Sequence, residues 1–338
     1  MASLRKAPTM ADVAQLAGVS PMTVSRAFKE AASVSDATRT AIRAAADELG
    51  YVFDSTASYL RSQRTDFVAV TVPSINNTNF AATVRGLAEG LKPQGLQILL
   101  GYTDYDIDEE ERLIEQFLRR RPEAIVVTGG QHTPRTRRLL ENAGIPVVET
   151  WDLPDHPIGH VVGFSNAASM REIVDHFAAH RLSRIAFLGG DSERDSRGMD
   201  RRRGFMAAMQ ARGLDASRLI AAGPPPISMR EGALAMGVVL QDHPDTQAVV
   251  CVSDLTAFGA LTECQRSGVR VPDQMSIAGF GDYEIAGVCV PPLTTVNPFP
   301  QDIGARAAAL ILEIRAHKQT QPARIVIQTE FLRRQSSV

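Results

Sequence analysis

The chain has 338 residues, 44% hydrophobic and 22% charged, which is enough for two or three domains with real cores and excludes a disordered chain. Formal net charge is −2, but residues 1–64 carry +2 and the remainder −4. A basic head on an acidic body is the asymmetry of a polyanion-binding module joined to something else.

Residues 9–50 read as short helices with no strand. Thr9 is an N-cap before Met10-Ala11-Asp12, whose acid suits the positive end of a helix dipole. Val13, Leu16 and Ala17 repeat at helical spacing, and Gly18 ends the segment. Ser20 caps the next helix, Pro21 occupies its first position, and Val24 and Phe28 mark its buried face. A third helix is expected from Ser35 to Leu49, with Ile42 and Leu49 inward and Gly50 as the stop. Residues 54–64 are a polar connector.

From Phe67 the pattern changes. Apolar runs at 67–72, 98–101, 124–128, 147–149, 161–164, 184–190, 248–252 and 276–280 alternate with helical patterns at 80–91, 109–118, 167–177, 203–209, 234–240 and 255–265. Strand starts about 23–36 residues apart match the βαβ unit, so the body should hold two doubly wound parallel sheets. The halves divide near residue 164, and RIVIQTEF at 324–331 should form one last strand. No heptad tail follows it.

A helix, a glycine turn and a second helix within 20 residues is the geometry of a DNA-reading helix-turn-helix. The string TMADVAQLAGVSPMTVSR at 9–26 strongly resembles the N-terminal signature of LacI-type transcriptional regulators, at Asp12, Val13, Ala14, Ala17, Gly18, Val19, Ser20, Thr23, Val24, Ser25 and Arg26. The resemblance implies a DNA-binding domain over 1–64 and a periplasmic-binding-protein-like effector and dimerisation domain over 65–338. It places Pro21, Met22 and Arg26 where the family reads bases. Arg26 suits a guanine edge and Met22 a thymine methyl, whereas Thr9, Ser20, Thr23 and Ser25 suit phosphate contacts or helix capping. Residues 54–62 resemble the family's hinge helix, with Ala57 and Leu60 at its minor-groove positions. Asp54 departs from the more common Asn there.

The same resemblance puts chain crossings near 162–165, 290–296 and 321–324, with a ligand between the halves. Residues just after strands become its candidate contacts: Ser74, Asn79, Phe80, His132, Thr133, Phe164, Asn166, Arg201, Asp254, Phe280 and Asp282. Arg201 matches the family's effector-clamping arginine. Plainer readings stand beside these: Asn166 and Asp254 as helix caps, and Phe80 and Phe164 as core. Sugar-binding members of the family carry two adjacent acids after Phe280, but here Gly281 replaces the first. Losing that carboxylate makes the pocket less hostile to an anionic ligand, and with Arg201 nearby an acid sugar becomes a reasonable occupant. Segments 133–149, 162–166 and 262–280 resemble the gluconate-operon repressor branch, which makes a gluconate-type sugar acid the expected effector. The alternatives are 2-ketogluconate, a phosphorylated sugar acid or a neutral sugar.

Rival classes lack their motifs. The sequence has no GxGxxG after its first strand, no GxxxxGK[ST] and no GxSxG, so a dehydrogenase, kinase or hydrolase is not expected, and neither is a cofactor. Three cysteines (Cys251, Cys264, Cys289) without CxxC spacing argue against a zinc site and for a reducing compartment. With no apolar leader and no run of 18 apolar residues, a cytoplasmic protein is expected rather than an exported binding protein. A single head offers too few base contacts for specificity, so a homodimer on a pseudo-palindromic operator is expected.

Overall fold

In the computed structural model, which describes residues 7–28, 34–53, 65–318 and 321–338, the chain divides into two units, Met1–Arg64 and Thr65–Val338. Helix α1 (Met10–Leu16) starts where the Thr9 hydroxyl accepts from Asp12 N at 3.4 Å and the Asp12 carboxylate accepts from Thr9 N at 2.7 Å. This reciprocal box satisfies two amide donors that the first helical turn would leave open. Ser20 caps α2 (Pro21–Ala27) by accepting from Thr23 N at 3.2 Å, and Ser35 caps α3 (Asp36–Leu49) in the same way. The helices close on one small core of Val13, Ala14, Val24, Ala27, Ile42, Ala45 and Ala46. Phe28 follows α2 at its C-cap and stacks on Phe53, with ring centroids 5.0 Å apart.

The second unit alternates strands and helices. Its elements are β1 (Phe67–Val72), α4 (Thr78–Leu91), β2 (Gln97–Tyr102), α5 (Ile107–Arg119), β3 (Ala124–Thr128), α6 (Pro134–Glu141), β4 (Val147–Thr150) and β5 (His160–Gly163). A second series follows with α7 (Arg171–Ala179), β6 (Ile185–Leu188), α8 (Ser196–Ala211), β7 (Leu219–Ile220), α9 (Met229–Asp242), β8 (Ala248–Cys251), α10 (Asp254–Arg266) and β9 (Ser276–Ala278). The chain ends with α11 (Glu284–Val288), β10 (Thr295–Asn297), α12 (Pro300–Arg315), β11 (Arg324–Val326) and β12 (Glu330–Leu332).

Two parallel sheets result, ordered β11-β5-β4-β3-β1-β2 and β7-β6-β8-β9, with β10 and β12 forming a short antiparallel pair. The inner strands of the two parallel sheets are buried on two faces, which is why β1, β3, β6 and β8 are near-continuous apolar runs, whereas the edge strands β2 and β11 are half-exposed. Strand order reverses between β1 and β3 in one sheet and between β6 and β8 in the other. The loops leaving those strands diverge there, and open αβ sheets place their ligands at such points.

One expected strand is two. Arg324–Val326 pairs with β5, whereas Glu330–Leu332 pairs with β10. Ile327 N still donates to Gly163 O at 2.7 Å, so the chain leaves the first sheet only after it. The last crossing is therefore at 327–329 rather than 321–324. A continuous run of β-favouring residues could not reveal that its two ends serve different sheets. Beyond β12, Ser336 hydrogen-bonds Ile277, closing the chain against the second sheet.

Candidate ligand site and DNA-reading face

On the head, α2 is buried through Val24 and Ala27 and turns its other residues outward. Met22 is 64% exposed, and Pro21 and Arg26 are exposed beside it. An unpaired methionine and an arginine on one outward face form a surface able to enter a major groove. The Ser20 and Thr23 hydroxyls lie 2.9 Å apart and serve the cap, and Thr9 is committed to its capping box; Ser25 is half-buried. Ala57 and Leu60 lie outside the described residues.

In the body, the loops at both switch points enclose a cavity of about 200 Å³. From the first sheet come Ser74, Asn76, Asn77, Asn79 and Phe80 after β1, Tyr105 after β2 and Trp151 after β4; the second sheet supplies Asp195, Arg197 and Arg201 after β6, Val252, Ser253 and Leu255 after β8, and Phe280 and Tyr283 after β9. Pro225, Pro226, Ile227 and Ser228 complete the wall. The floor is aromatic: Trp151 packs edge-on to Phe80 with ring centroids 5.2 Å apart, and its Nε1 donates to the Thr83 hydroxyl at 3.1 Å.

Two guanidiniums dominate the electrostatics. Arg201 lies 4.4 Å from the Phe280 ring centroid and donates to Asn166 Oδ1 at 2.7 Å. Burial lowers its pKa, and its Nε has no hydrogen-bond partner among the described residues, so a buried cationic donor is left open. Arg197, one helical turn earlier on α8, faces the Phe80 ring at 5.7 Å and donates to Thr128 O at 3.3 Å. Asp195 is the one carboxylate among the lining residues. Burial also pushes the Tyr105 phenol up to about 12 and raises Tyr283 further, so both stay neutral and can donate.

Of the sequence candidates, Ser74, Asn79, Phe80, Arg201 and Phe280 line this cavity. Asn79 reaches the opposite half, where its Nδ2 donates to Gly281 O at 2.9 Å. Gly281 has φ 126, and a Cβ there would lie 2.4 Å from the Tyr283 ring, so no other residue fits without moving that wall.

Six candidates sit elsewhere. Phe164 is core, wedged between Trp151 and Phe280 behind the cavity wall. Asn166 is also behind it, bridging Arg201 to Trp151 O; the helical turn after it is capped instead by Ser165. The Asp254 carboxylate is fully buried and accepts from Tyr283 N at 2.8 Å and the Thr295 hydroxyl at 2.6 Å. Burial pushes it up to about 7 despite those donors, and it holds the 280–283 turn rather than a ligand. Asp282 pairs with Arg334 at 2.6 Å and Asn297 at 3.1 Å. Thr133 caps α6. His132 is enclosed in the first half, 2.5 Å from Glu110 and 3.6 Å from Glu149. Being just past a strand is therefore insufficient: the side chain must also be left free to face the cavity, and these polar candidates are instead taken up by partners inside the fold.

Sequence reading missed Asn76, Asn77, Tyr105, Trp151, Asp195, Arg197, Ser228 and Tyr283. Arg197 had a usable signal, because it precedes Arg201 by four residues and so shares its helix face once α8 is started at Ser196 instead of Arg203. Trp151 takes a left-handed φ of 69 at a strand end, which no sequence pattern announces.

Among the described residues no cluster of three or more His, Cys, Asp or Glu is placed to hold a metal, and no helix is long and apolar enough to cross a membrane. The family described as bacterial regulatory proteins, lacI family, matches residues 9–54, and a periplasmic binding protein-like domain matches residues 174–337. The chain is 36% identical to the HTH-type transcriptional regulator GntR of Pseudomonas aeruginosa, covering 98% of this chain and 96% of that relative. It is 33% identical to the GntR regulator of Escherichia coli K12, over 94% and 95%. A crystal structure of a LacI family transcriptional regulator from Silicibacter pomeroyi superposes with a TM-score of 0.91 at 31% identity, covering 97% of this chain and 99% of that one.

Proposed function

The chain belongs to the lacI family of bacterial regulatory proteins, and we propose that it represses sugar-acid catabolic genes until a gluconate-type acid occupies its cavity. It is a sequence-specific DNA-binding regulator rather than an enzyme. The observation that carries the effector class is the charge balance of the cavity, two buried guanidiniums against one carboxylate. With Asp195 set against Arg197 at 3.9 Å, such a site stabilises an anion, whereas a neutral sugar would leave one desolvated cation without a counter-charge. The ligand carboxylate takes the forked donors of Arg201, with Arg197 alongside, because a planar guanidinium makes paired charge-assisted bonds to one carboxylate. Asp195, Asn77 and the Ser74, Ser228 and Ser253 hydroxyls serve the polyol, replacing Asp254 and Asp282 in that role. Calorimetric titration with gluconate, 2-ketogluconate, a 6-phosphorylated sugar acid and glucose tests this. Tighter binding of glucose than of the acids would overturn the assignment and leave the DNA-binding function intact.

Operator binding by a homodimer belongs to the same proposal. Coupling of about 1–3 kcal/mol between cavity and DNA would change operator affinity roughly 5- to 150-fold, and linkage requires the operator to weaken effector binding equally. The exposed guanidinium of Arg26 is assigned to a guanine edge. Arg26→Ala should cost about 1–3 kcal/mol at one base pair in each half-site. Binding measured on a panel of single-base operator variants checks this, and a uniform loss on every sequence would make Arg26 a phosphate contact instead.

A further inference from the structure

The cavity is walled by loops from both halves of the body, so something must hold those loops together across its mouth. Several contacts run between the halves, among them those of three side chains with backbone carbonyls around the cavity. Asn79 reaches Gly281, and Arg197 reaches Thr128 O, both from within or beside the cavity. The third is farther out. Arg194, an exposed residue just before α8, donates from Nη2 to Asp104 O at 2.6 Å and from Nε to Tyr105 O at 3.3 Å.

The receiving segment is unusual. Asp104 and Tyr105 are consecutive non-glycine residues with left-handed φ values of 51 and 58. Each such residue is held against its own preference, and persists only where the surroundings over-determine it. The cationic fork of Arg194 spans both of their carbonyls, which two separate neutral donors could match only at greater entropic cost. Tyr105 then joins two spaces: its side chain lines the effector cavity and also a second cavity of about 610 Å³ at the mouth, which Arg194 lines as well.

We propose that Arg194 is a positioning residue that clasps the Asp104–Tyr105 turn across the mouth and holds Tyr105 over the ligand space. It touches no ligand. It acts through the backbone of the residue that does, so its loss frees the mouth without removing a contact in the cavity. This role is independent of which effector binds.

The protein carries its own reporter. Trp151 is the chain's single tryptophan, lies on the cavity floor and is 4% exposed. Acrylamide quenching of its fluorescence in the full chain, with no effector added, reads how often the mouth opens. Arg194→Ala should raise the open fraction about five- to tenfold, the scale of a charge-assisted hydrogen-bond pair discounted for solvent exposure. Arg194→Lys should fall between wild type and alanine, since an ammonium still serves one of the two carbonyls. Glu193→Ala, the exposed neighbour, should quench like wild type. Equal quenching of wild type and Arg194→Ala, a lysine variant outside that interval, or a rise of the same size in Glu193→Ala would overturn the proposal. Because no effector is used, failure here is separable from failure of the sugar-acid reading, which rests on calorimetry.

Discussion

Arg201→Ala should weaken gluconate binding by about 2–4 kcal/mol, or roughly 30- to 1,000-fold, while leaving operator affinity without effector near wild type. The loss is large because the guanidinium is buried, stacked at 4.4 Å on Phe280 and held by Asn166, so its charge and orientation are fixed before the ligand arrives. Truncation also leaves the ligand carboxylate desolvated without a partner, and that penalty is the greater part of the effect. Arg201→Lys should recover little, since a point charge cannot keep both the Asn166 bond and a forked contact to the ligand. Asn166→Ala is the companion variant. It leaves every cavity-lining side chain in place and removes the bond that aims Arg201 together with the one to Trp151 O, so a loss of about tenfold is expected, the scale of one hydrogen bond to a charged group. Isothermal titration of the three variants checks the series; unchanged affinity in Arg201→Ala would remove the anion-clamp reading.

Replacing His132 by leucine should destabilise the body by about 3–5 kcal/mol, the usual cost of stranding buried charge. The imidazole is enclosed between Glu110 at 2.5 Å and Glu149 at 3.6 Å, with almost no exposed side chain. Burial by itself would lower its pKa, but the hydrogen bond with Glu110 and the charges of both carboxylates outweigh that and push it up to about 9. Folding therefore takes up a proton that the unfolded chain releases above about pH 6.5. The stabilisation is fully present below that pH and is lost as pH rises toward 9, and the leucine variant should lack this part of the pH dependence. Converting Glu110, His132 and Glu149 together to apolar residues should recover much of the loss, because no charge is then left buried. Urea unfolding from pH 6 to 9.5 reads both effects, and a leucine variant that keeps the wild-type slope would show that the cluster is not the titrating group.

How much of this was legible beforehand depended on whether a feature was local. The caps at Thr9, Ser20 and Ser35, the proline at the first position of α2 and the glycine stops are decided by residues within one turn of each other, so the head could be read almost residue by residue. Parallel strands with both faces covered announce themselves as apolar runs, and β1 (Phe67–Val72) and β3 (Ala124–Thr128) fall where those runs lie. Helix starts were harder. Helix α8 begins seven residues before its apolar pattern does, since its first two turns are mostly polar and only Arg197 and Arg201 among them line the cavity, and Arg197 was lost with them.

The sequence by itself determined the DNA-reading head and the two-sheet body, and it pointed to an arginine that the fold places in the wall of the candidate cavity. Which polar residues line that cavity was decided only by tertiary structure. Asp254, Asp282 and His132 each follow a strand and each looked free to bind, yet the folded chain occupies them with Thr295 and Tyr283, with Arg334 and Asn297, and with Glu110 and Glu149. Those partners come from segments up to 52 residues away, at Arg334 and Asp282. A buried polar group must find a partner wherever the fold supplies one, and local sequence carries no record of which distant group arrives first.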